Sequence, residues 1–499
     1  MNTYNKLGFA RLTEVQNKIQ NIKNKNILIL SSCGSGKTEA SYFNLLQDNN
    51  RIIFIEPMKT LSDSIHDRLN KYNNKLKLGE VTIQHSSRQE DRFLNNKYCV
   101  TTIDQILSGY LALGTQSFIK GKNVLQSNLI FDEVQLFGTE DMLLTTINML
   151  DELNKLNQRF IIMTATMPSY LIELFKYRYD MEVIISNELR TDREVNLYWR
   201  EELDYNEINE YKDKQIIICN TKRQLREIYS QLDKDRVIVL HSGFVNSDRL
   251  KIEKELYKYF SKNSGDNDKI LLTTQIVEVG IDISSNRLYT TLCPIDNLIQ
   301  RDGRCCRWGG DGEVIVFRNT DKIYDENVIQ STQEFIKNHN GINFTWDIQK
   351  KAVDLILNPY YKMKVNKKTL KQNKNNFKFC SRNRLIRDVQ TVNLIICNKE
   401  NISIEDFNRE TISIYMNELK NIANSNELYI LSRNEIKTVS YFNIEIGDTI
   451  LIKGNDCRYD KLGFRYKDSI FVEDNVIMFP LIQSKTNTDY TDYIYEEWI

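Results

Sequence analysis

The stretch Ile27-Leu-Ile-Leu-Ser-Ser-Cys-Gly-Ser-Gly-Lys-Thr-Glu-Ala40 limits what this chain can fold into more than any other. The apolar residues Ile27 to Leu30 read as a buried strand, Ser31 to Gly36 as a tight loop, and Lys37-Thr38 as the opening of a helix. A strand feeding a glycine-bearing loop and a helix N-terminus is a phosphate cradle, because unpaired backbone N–H groups and the helix dipole face the same anion. The backbone of Gly34, Ser35, Gly36 and Lys37 is expected to point at β- and γ-phosphates. The Lys37 ammonium adds charge, and the Thr38 hydroxyl can ligate Mg²⁺. Ser31 stands where the common pattern has its first glycine, while the Gly-x-Gly-Lys-Thr core is intact.

At 499 residues the chain is too long for one core, so two to four domains are expected. A hydrophobic content of 41% and a charged content of 27% fit a globular protein. The formal net charge is zero, so a nucleic-acid partner would have to be held by local basic grooves, not by a bulk positive field. No apolar run reaches the roughly 18 residues of a membrane span, and the N-terminus has no signal-peptide apolar region. Nine cysteines without repeated Cys-x-x-Cys spacing fit reduced thiols in a cytoplasmic protein and no zinc site.

Residues 1 to 26 read as a polar-apolar helix ahead of the first strand. Within it, Gln16 follows an aromatic, Phe9, shortly before the cradle. Such a glutamine can read adenine edges through its amide; a surface Gln on an amphipathic helix looks the same in sequence. Strands then alternate with helical stretches: 51–57, 81–85, 98–103, 128–133 and 159–166 are apolar, with helices at 58–71, from 104 and over 139–157. This alternation implies a parallel, doubly wound sheet with ligands at the carboxyl ends of its strands. Asp132-Glu133 closes one such strand. Asp132 can hold the water shell of Mg²⁺ and Glu133 can orient an attacking water.

A second α/β unit begins near residue 195, with strands at 215–221, 236–241, 269–274 and 288–292. It has no phosphate cradle and instead ends in Gln300-Arg-Asp-Gly-Arg-Cys-Cys-Arg307. Arg304 and Arg307, three apart on a helical turn, would share a face. A fixed guanidinium fork suits a γ-phosphate, as an arginine finger does. The cradle on one lobe and the arginines on the other imply a cleft that ATP closes.

Taken together these residues resemble a superfamily 2 helicase, motif by motif. Ser31 to Thr38 resemble motif I. Glu56-Pro57-Met58-Lys59-Thr60-Leu61 resemble motif Ia, and Thr102-Ile-Asp104-Gln105 a later nucleic-acid motif of lobe one. Asp132-Glu-Val-Gln135 is similar to motif II, with Gln135 departing from the usual fourth residue, and Thr164-Ala-Thr166 to the coupling motif III. Asn220-Thr221 and His241-Ser242 resemble motifs IV and IVa, Thr273 to Asp282 motif V with Gly280 and Asp282 on the nucleotide, and Gln300 to Arg307 motif VI. The resemblance implies an α/β architecture of two tandem RecA-like doubly wound parallel-sheet lobes, a linker helix and a small C-terminal accessory domain. The divisions expected are 1–192, 193–330, 331–380 and 381–499. It also implies ATP and Mg²⁺ as cofactors. Strand contacts would come from Pro57, Lys59, Thr60, Thr102, Asp104, Gln105, Asn220, Thr221, His241 and Thr273.

The finer resemblance is to the CRISPR-associated helicase of type I interference systems. It rests on Gly-Lys-Thr-Glu-Ala40, Thr102 to Gln105, the Gln-Ile-Val-Glu run before Gly280, Arg384-Leu-Ile-Arg-Asp388 and Tyr459-Asp-Lys-Leu-Gly463. That family implies a 3′-to-5′ translocase on single-stranded DNA, recruited to an RNA-guided CRISPR surveillance complex. Many members carry an N-terminal metal-dependent nuclease with clustered His and Asp. Here there are four histidines, His66, His85, His241 and His339, and His66-Asp67 reads as a surface pair on the helix after motif Ia. The nuclease is therefore expected on a separate His-Asp subunit.

Between Lys362 and Lys378 lie seven lysines flanked by aromatics, which fits nucleic-acid backbone binding and a solvated linker equally. Residues 381–499 should form the accessory domain over the strand, and the tail Tyr490 to Ile499 could be a docking peptide or a packed end. Two other classes of function stay open on sequence: another superfamily 2 motor on RNA or in DNA repair, and a clamp that binds nucleic acid without turnover. RNA and DNA differ to a protein chiefly by the 2′-hydroxyl, and no side chain here announces that choice.

Overall fold

The computed structural model describes residues 3–32, 34–85, 88–113, 117–134, 140–187, 192–265, 267–278, 280–318, 321–379, 391–397, 402–432, 435–444, 448–453 and 456–467. Gln135, the 384–388 signature and the tail from 490 lie outside them. The chain divides into two compact units, Met1–Ile238 with Leu256–Asp388, and Val239–Glu255 with Val389–Ile499.

The first lobe runs α1 (Thr3–Leu7), α2 (Glu14–Ile19), β1 (Ile27–Ser31), α3 (Lys37–Leu45), β2 (Ile52–Glu56), α4 (Lys59–Leu76), β3 (Thr82–Gln84), β4 (Tyr98–Thr102), α5 (Ile103–Tyr110), α6 (Ser117–Leu125), β5 (Asn128–Asp132), α7 (Glu140–Lys155), β6 (Phe160–Thr164), α8 (Ser169–Tyr179) and β7 (Glu182–Ser186). Its sheet order is β3-β4-β2-β5-β6-β1-β7, parallel throughout. The central strands are apolar end to end because helices cover both faces. Leu28, Ile53, Leu129 and Ile162 point into one core, and Ile27, Phe54, Ile130 and Ile161 into the other. The single helix expected over residues 1–26 is two short ones. Gly8 breaks the first at φ +84°, and a capping box between Thr13 and Gln16 starts the second.

The second lobe runs β8 (Arg193–Arg200), α9 (Tyr205–Glu210), β9 (Gln215–Ile218), α10 (Lys222–Gln231), β10 (Val237–Leu240), α11 (Asn246–Phe260), β11 (Ile270–Thr273), β12 (Arg287–Thr291), α12 (Ile295–Asp302), β13 (Gly310–Phe317), α13 (Glu326–Asn338) and β14 (Ile342–Asn343). Its sheet order is β10-β11-β9-β12-β13-β8-β14, with β14 antiparallel on the edge. The sheet therefore runs past residue 330, where the sequence reading closed the lobe. A long helix, α14 (Trp346–Lys364), follows, then α15 (Lys367–Phe379).

These two helices pack on the first lobe. Asn373 of α15 meets Thr145 and Asn148 of α7, and Phe377 stacks on Tyr110. The N-terminus of α8 has no cap of its own. Asp354 of α14 accepts from Ser169 N–H at 2.6 Å, and Asn358 from Tyr170 N–H at 2.9 Å, which satisfies orphan donors of that helix. The lysine-rich stretch is thus the end of α14 and most of α15, with its described lysines outward. Lys364 and Lys374 pair with Glu140 and Glu152, while Lys362, Lys367, Lys368 and Lys371 are exposed.

In the second unit, β15 (Thr391–Ile396), β16 (Ile412–Tyr415), α16 (Met416–Ala423), β17 (Glu427–Ser432), β18 (Glu435–Thr438) and β19 (Thr449–Lys453) form a mixed sheet of order β16-β15-β19-β17-β18 beside one helix. The hairpin β20 (Cys457–Asp460) and β21 (Gly463–Tyr466) docks on the segment after His241. His241 Nε2 bonds Leu462 O at 2.9 Å, and the Tyr459 hydroxyl bonds Val245 N–H and Asp248. Gly463 sits at φ +70°, and a Cβ there would lie 2.8 Å from both Gly243 O and the His241 ring. No described helix is long and apolar enough to cross a membrane.

Candidate active site

The loop between β1 and α3 closes on itself by sequence-encoded contacts. Ser31 and Ser35 hydroxyls bond each other at 2.5 Å, and Gly36 takes φ +83° as it enters the helix. A Cβ on Gly36 would lie 2.6 Å from Gln16 Nε2, so the glycine lets α2 approach the cradle. Lys37 Nζ donates to Ser31 O at 2.7 Å and Ser32 O at 3.2 Å, and stands 3.9 Å from Glu133 Oε1. Thr38 is half-buried in the first turn of α3.

Two strands along the sheet, Asp132 ends β5 and Glu133 turns out of it at φ +46°. Glu133 N–H donates to Met163 O, and Glu133 Oε2 accepts from Ala165 N–H at 3.1 Å. Thr164 is buried, and its Oγ1 accepts from Thr166 N–H. The structure thus brings Gln16, the cradle, Asp132-Glu133 and Thr164–Thr166 to one end of one sheet. Burial, reinforced by Glu133 and opposed by Lys37, pushes the Asp132 carboxyl up to about 7. Glu56, at the end of β2, is fully buried; burial, with Asp132 and Glu133 adding, holds it well above the ordinary carboxylate range. Gln16 is 1% exposed. Its Oε1 takes Thr13 N–H, and its Nε2 is buried without a hydrogen-bond partner. Asp132 Oδ1 is likewise unpartnered. An open amide donor beside the cradle fits an adenine acceptor, and an open carboxylate oxygen fits a cation or its water. The residues present therefore suit ATP and Mg²⁺.

Motif VI differs from the fork expected. α12 stops at Asp302, so Arg304 and Arg307 follow the helix in a turn. Arg304 is buried, donating to Val277 O at 2.7 Å and Glu278 O at 2.8 Å. Arg307 pairs with Asp282, one of the expected nucleotide residues. Gln300 is buried with Oε1 unpartnered. Gly280 takes φ +92°. Arg301, which the spacing did not single out, is fully buried and holds Glu278, Thr290, Thr291 O and Asn220. Its signal was the helical spacing Ile295, Leu298, Arg301, the inward stripe of α12.

The expected strand contacts divide. Pro57 and Thr102 are buried at the ends of β2 and β4, and Lys59-Thr60 open α4. Asp104 is half-buried, and Gln105 Oε1 accepts from Lys120 at 2.6 Å. In the second lobe Asn220 bonds Arg301 and Leu292 O, Thr221 caps α10 and bonds Asp321, and Thr273 is buried. His241 uses both ring nitrogens, on Leu462 O and Gly243 N–H. These four side chains bond within their own units. His66 is buried, between Asp67 and Val81 O, where the sequence suggested a surface pair. Its position under β3 is what hides it.

The DEAD/DEAH box helicase family model matches residues 13–174, and the model described as CRISPR-associated nuclease/helicase Cas3, C-terminal, matches 211–309. A putative CRISPR-associated nuclease/helicase Cas3 of Methanocaldococcus jannaschii is 30% identical over 59% of this chain and 46% of its own length. The CRISPR-associated helicase Cas3 of Thermoproteus tenax is 28% identical over 66% of this chain and 63% of its own. The chain therefore spans about half to under two thirds of these relatives. The crystal structure of T. fusca Cas3 has the same fold, with a TM-score of 0.72 at 14% identity over 93% of this chain and 72% of that one. Motifs, matched families and fold agree: this chain resembles the superfamily 2 helicases, Cas3 among them.

Proposed function

We propose that this chain is the ATP-driven motor of a CRISPR interference system, translocating 3′-to-5′ on single-stranded DNA. The observation that carries this is the chain of contacts from cradle to coupling loop: Lys37 3.9 Å from Glu133, and Glu133 held by Ala165 N–H. Bound Mg²⁺ would supply charge for the phosphates, through Thr38 and Asp132. Gln16 Nε2 would meet adenine. Lys37 would leave Ser31 O and Ser32 O for the phosphates, and Glu133 would orient the attacking water. Because Glu133 also holds Ala165, a change at the phosphate is felt at Thr164 and Thr166. Gln300, Arg304 and Arg307 would complete the site from the second lobe once the arginines exchange their present carbonyl and carboxylate partners, with Gly280 and Asp282 beside them.

The names of the relatives support the CRISPR assignment, while an RNA-guided surveillance complex as partner, DNA as track and the direction rest on the motif resemblance. The expected strand residues Pro57, Lys59, Thr60, Thr102, Asp104 and Gln105 cluster at strand ends and helix starts of the first lobe, which supports a track there. Each histidine is engaged in the fold, His85 with Asp63 and His339 with Phe335 O, which supports a nuclease on a separate His-Asp subunit. Seven described cysteines are free and buried, which supports a reducing cytoplasm.

The test is ATP hydrolysis by the chain with labelled single-stranded DNA, single-stranded RNA or neither. Strong stimulation by DNA without cleavage of it is expected. Equal stimulation by RNA would overturn the track, and no hydrolysis would overturn the motor.

A further inference from the structure

We infer that Glu56 is a third carboxylate of the magnesium site, accepting hydrogen bonds from the cation's water shell. This rests on the nucleotide-site reading above. β2 and β5 are neighbouring parallel strands with Ile55 opposite Phe131, so the next pair along is Glu56 and Asp132. Side chains alternate between faces. Phe54 and Ile130 point to the face covered by α3, and Glu56 and Asp132, two residues on, share that face. α3 is the helix that opens with Lys37 and Thr38. Glu56 therefore belongs to the same layer as the two expected magnesium residues.

Its surroundings have no use for it as an ordinary residue. Glu56 is 0% exposed, and both carboxylate oxygens lack a hydrogen-bond partner, as does Asp132 Oδ1. Buried polar groups are nearly always bonded, and an open carboxylate beside two others adds repulsion to desolvation. A divalent cation removes both penalties. No group of three or more His, Cys, Asp or Glu among the described residues could hold a metal ion by itself, so the role inferred for Glu56 is toward the ion's water and not the ion. Mg²⁺ suits this arrangement, since it retains several waters and takes one or two protein carboxylates. An acceptor that fixes those waters tunes affinity without touching the ion.

The test uses the full chain with a non-hydrolysable ATP analogue and Mn²⁺ as a paramagnetic probe, its affinity read by electron paramagnetic resonance. Glu56→Gln keeps shape and removes charge. It should weaken Mn²⁺ binding about tenfold or more, the usual effect of losing an outer-shell partner. Metal-free binding of the analogue should be unchanged. Glu56→Asp, which withdraws the carboxylate by one methylene, should fall between Glu56→Gln and the parent chain. Asp132→Asn is the control. If Asp132→Asn weakens Mn²⁺ and both Glu56 variants bind it normally, the inference on Glu56 fails alone. If none of the three changes Mn²⁺ affinity, the nucleotide-site reading fails with it.

Discussion

Both lobes carry their polar machinery at the carboxyl ends of parallel strands, but the key charged groups are left in different states. In the first lobe Gln16 Nε2, both Glu56 oxygens and Asp132 Oδ1 are buried and unbonded. In the second, Gln300 Oε1 is open as well, but the arginines are engaged: Arg301 makes bonds to four partner residues, Arg304 grips two carbonyls and Arg307 is paired with Asp282. Unmade buried hydrogen bonds are stored affinity: a ligand that completes them does so without breaking anything. Made ones are stored rigidity, and recruiting them to a ligand requires an exchange. In the proposed motor this difference would give the first lobe capture and the second a response that follows.

The sharpest way to break this contrast is Arg301→Ala. Removing one partner of a buried ion pair costs about 3–5 kcal/mol, here by stranding Glu278 and Asn220. The expected outcome is a large fall in thermal stability with nucleotide binding by the first lobe retained below the new transition. Unchanged stability would show that the second lobe is not locked in this way. Next in size is Glu133→Gln. It should bind ATP yet slow hydrolysis on the order of 10²-fold or more, because the water is no longer polarised. Normal single-turnover rates would remove Glu133 from its assigned place. The smallest effect is expected at Gln16→Ala, a loss of about tenfold in preference for ATP over GTP, the worth of a hydrogen bond or so. Its melting temperature should fall only slightly, through the lost capping-box bond to Thr13 N–H. A reversed pattern, stability lost and preference kept, would make Gln16 a cap for α2 alone.

Much of this was legible in the chain itself. Ile27 to Leu30 and Asn128 to Asp132 read as strands because apolar runs covered on both faces leave few alternatives, and the cradle read as a cradle because glycine, lysine and threonine follow such a run. Side-chain partnership was not legible. Arg301, Arg304 and Arg307 are equally spaced, and only the convergence of Thr290, Glu278 and Asn220 on one of them tells it apart. Glu56 reads as the polar end of a strand until its neighbour across the sheet is seen to be Asp132. Gly463 and His241 are separated by more than 200 residues, and nothing in either sequence neighbourhood announces that one packs on the other. The strands β7, β8, β13 and β14 escaped; β8 and β13 mix charged residues or glycine with their apolar ones, and β14 is too short to show a run.

One feature of the linker sets the mechanics. α14 grips Asp302 of motif VI through Gln349 at 2.8 Å, and it caps α8, just beyond Thr164–Thr166, through Asp354 and Asn358. The grips are set on one helix, from residue 349 to residue 358, a span of about 13 Å at the usual helical rise, with Pro359 directly after the second. In the proposed motor it would work as a connecting rod between two cranks, its phase set by residue number. One residue inserted between Lys350 and Asp354 would turn one grip by about 100° relative to the other, leaving both lobes folded and the linkage between them out of phase.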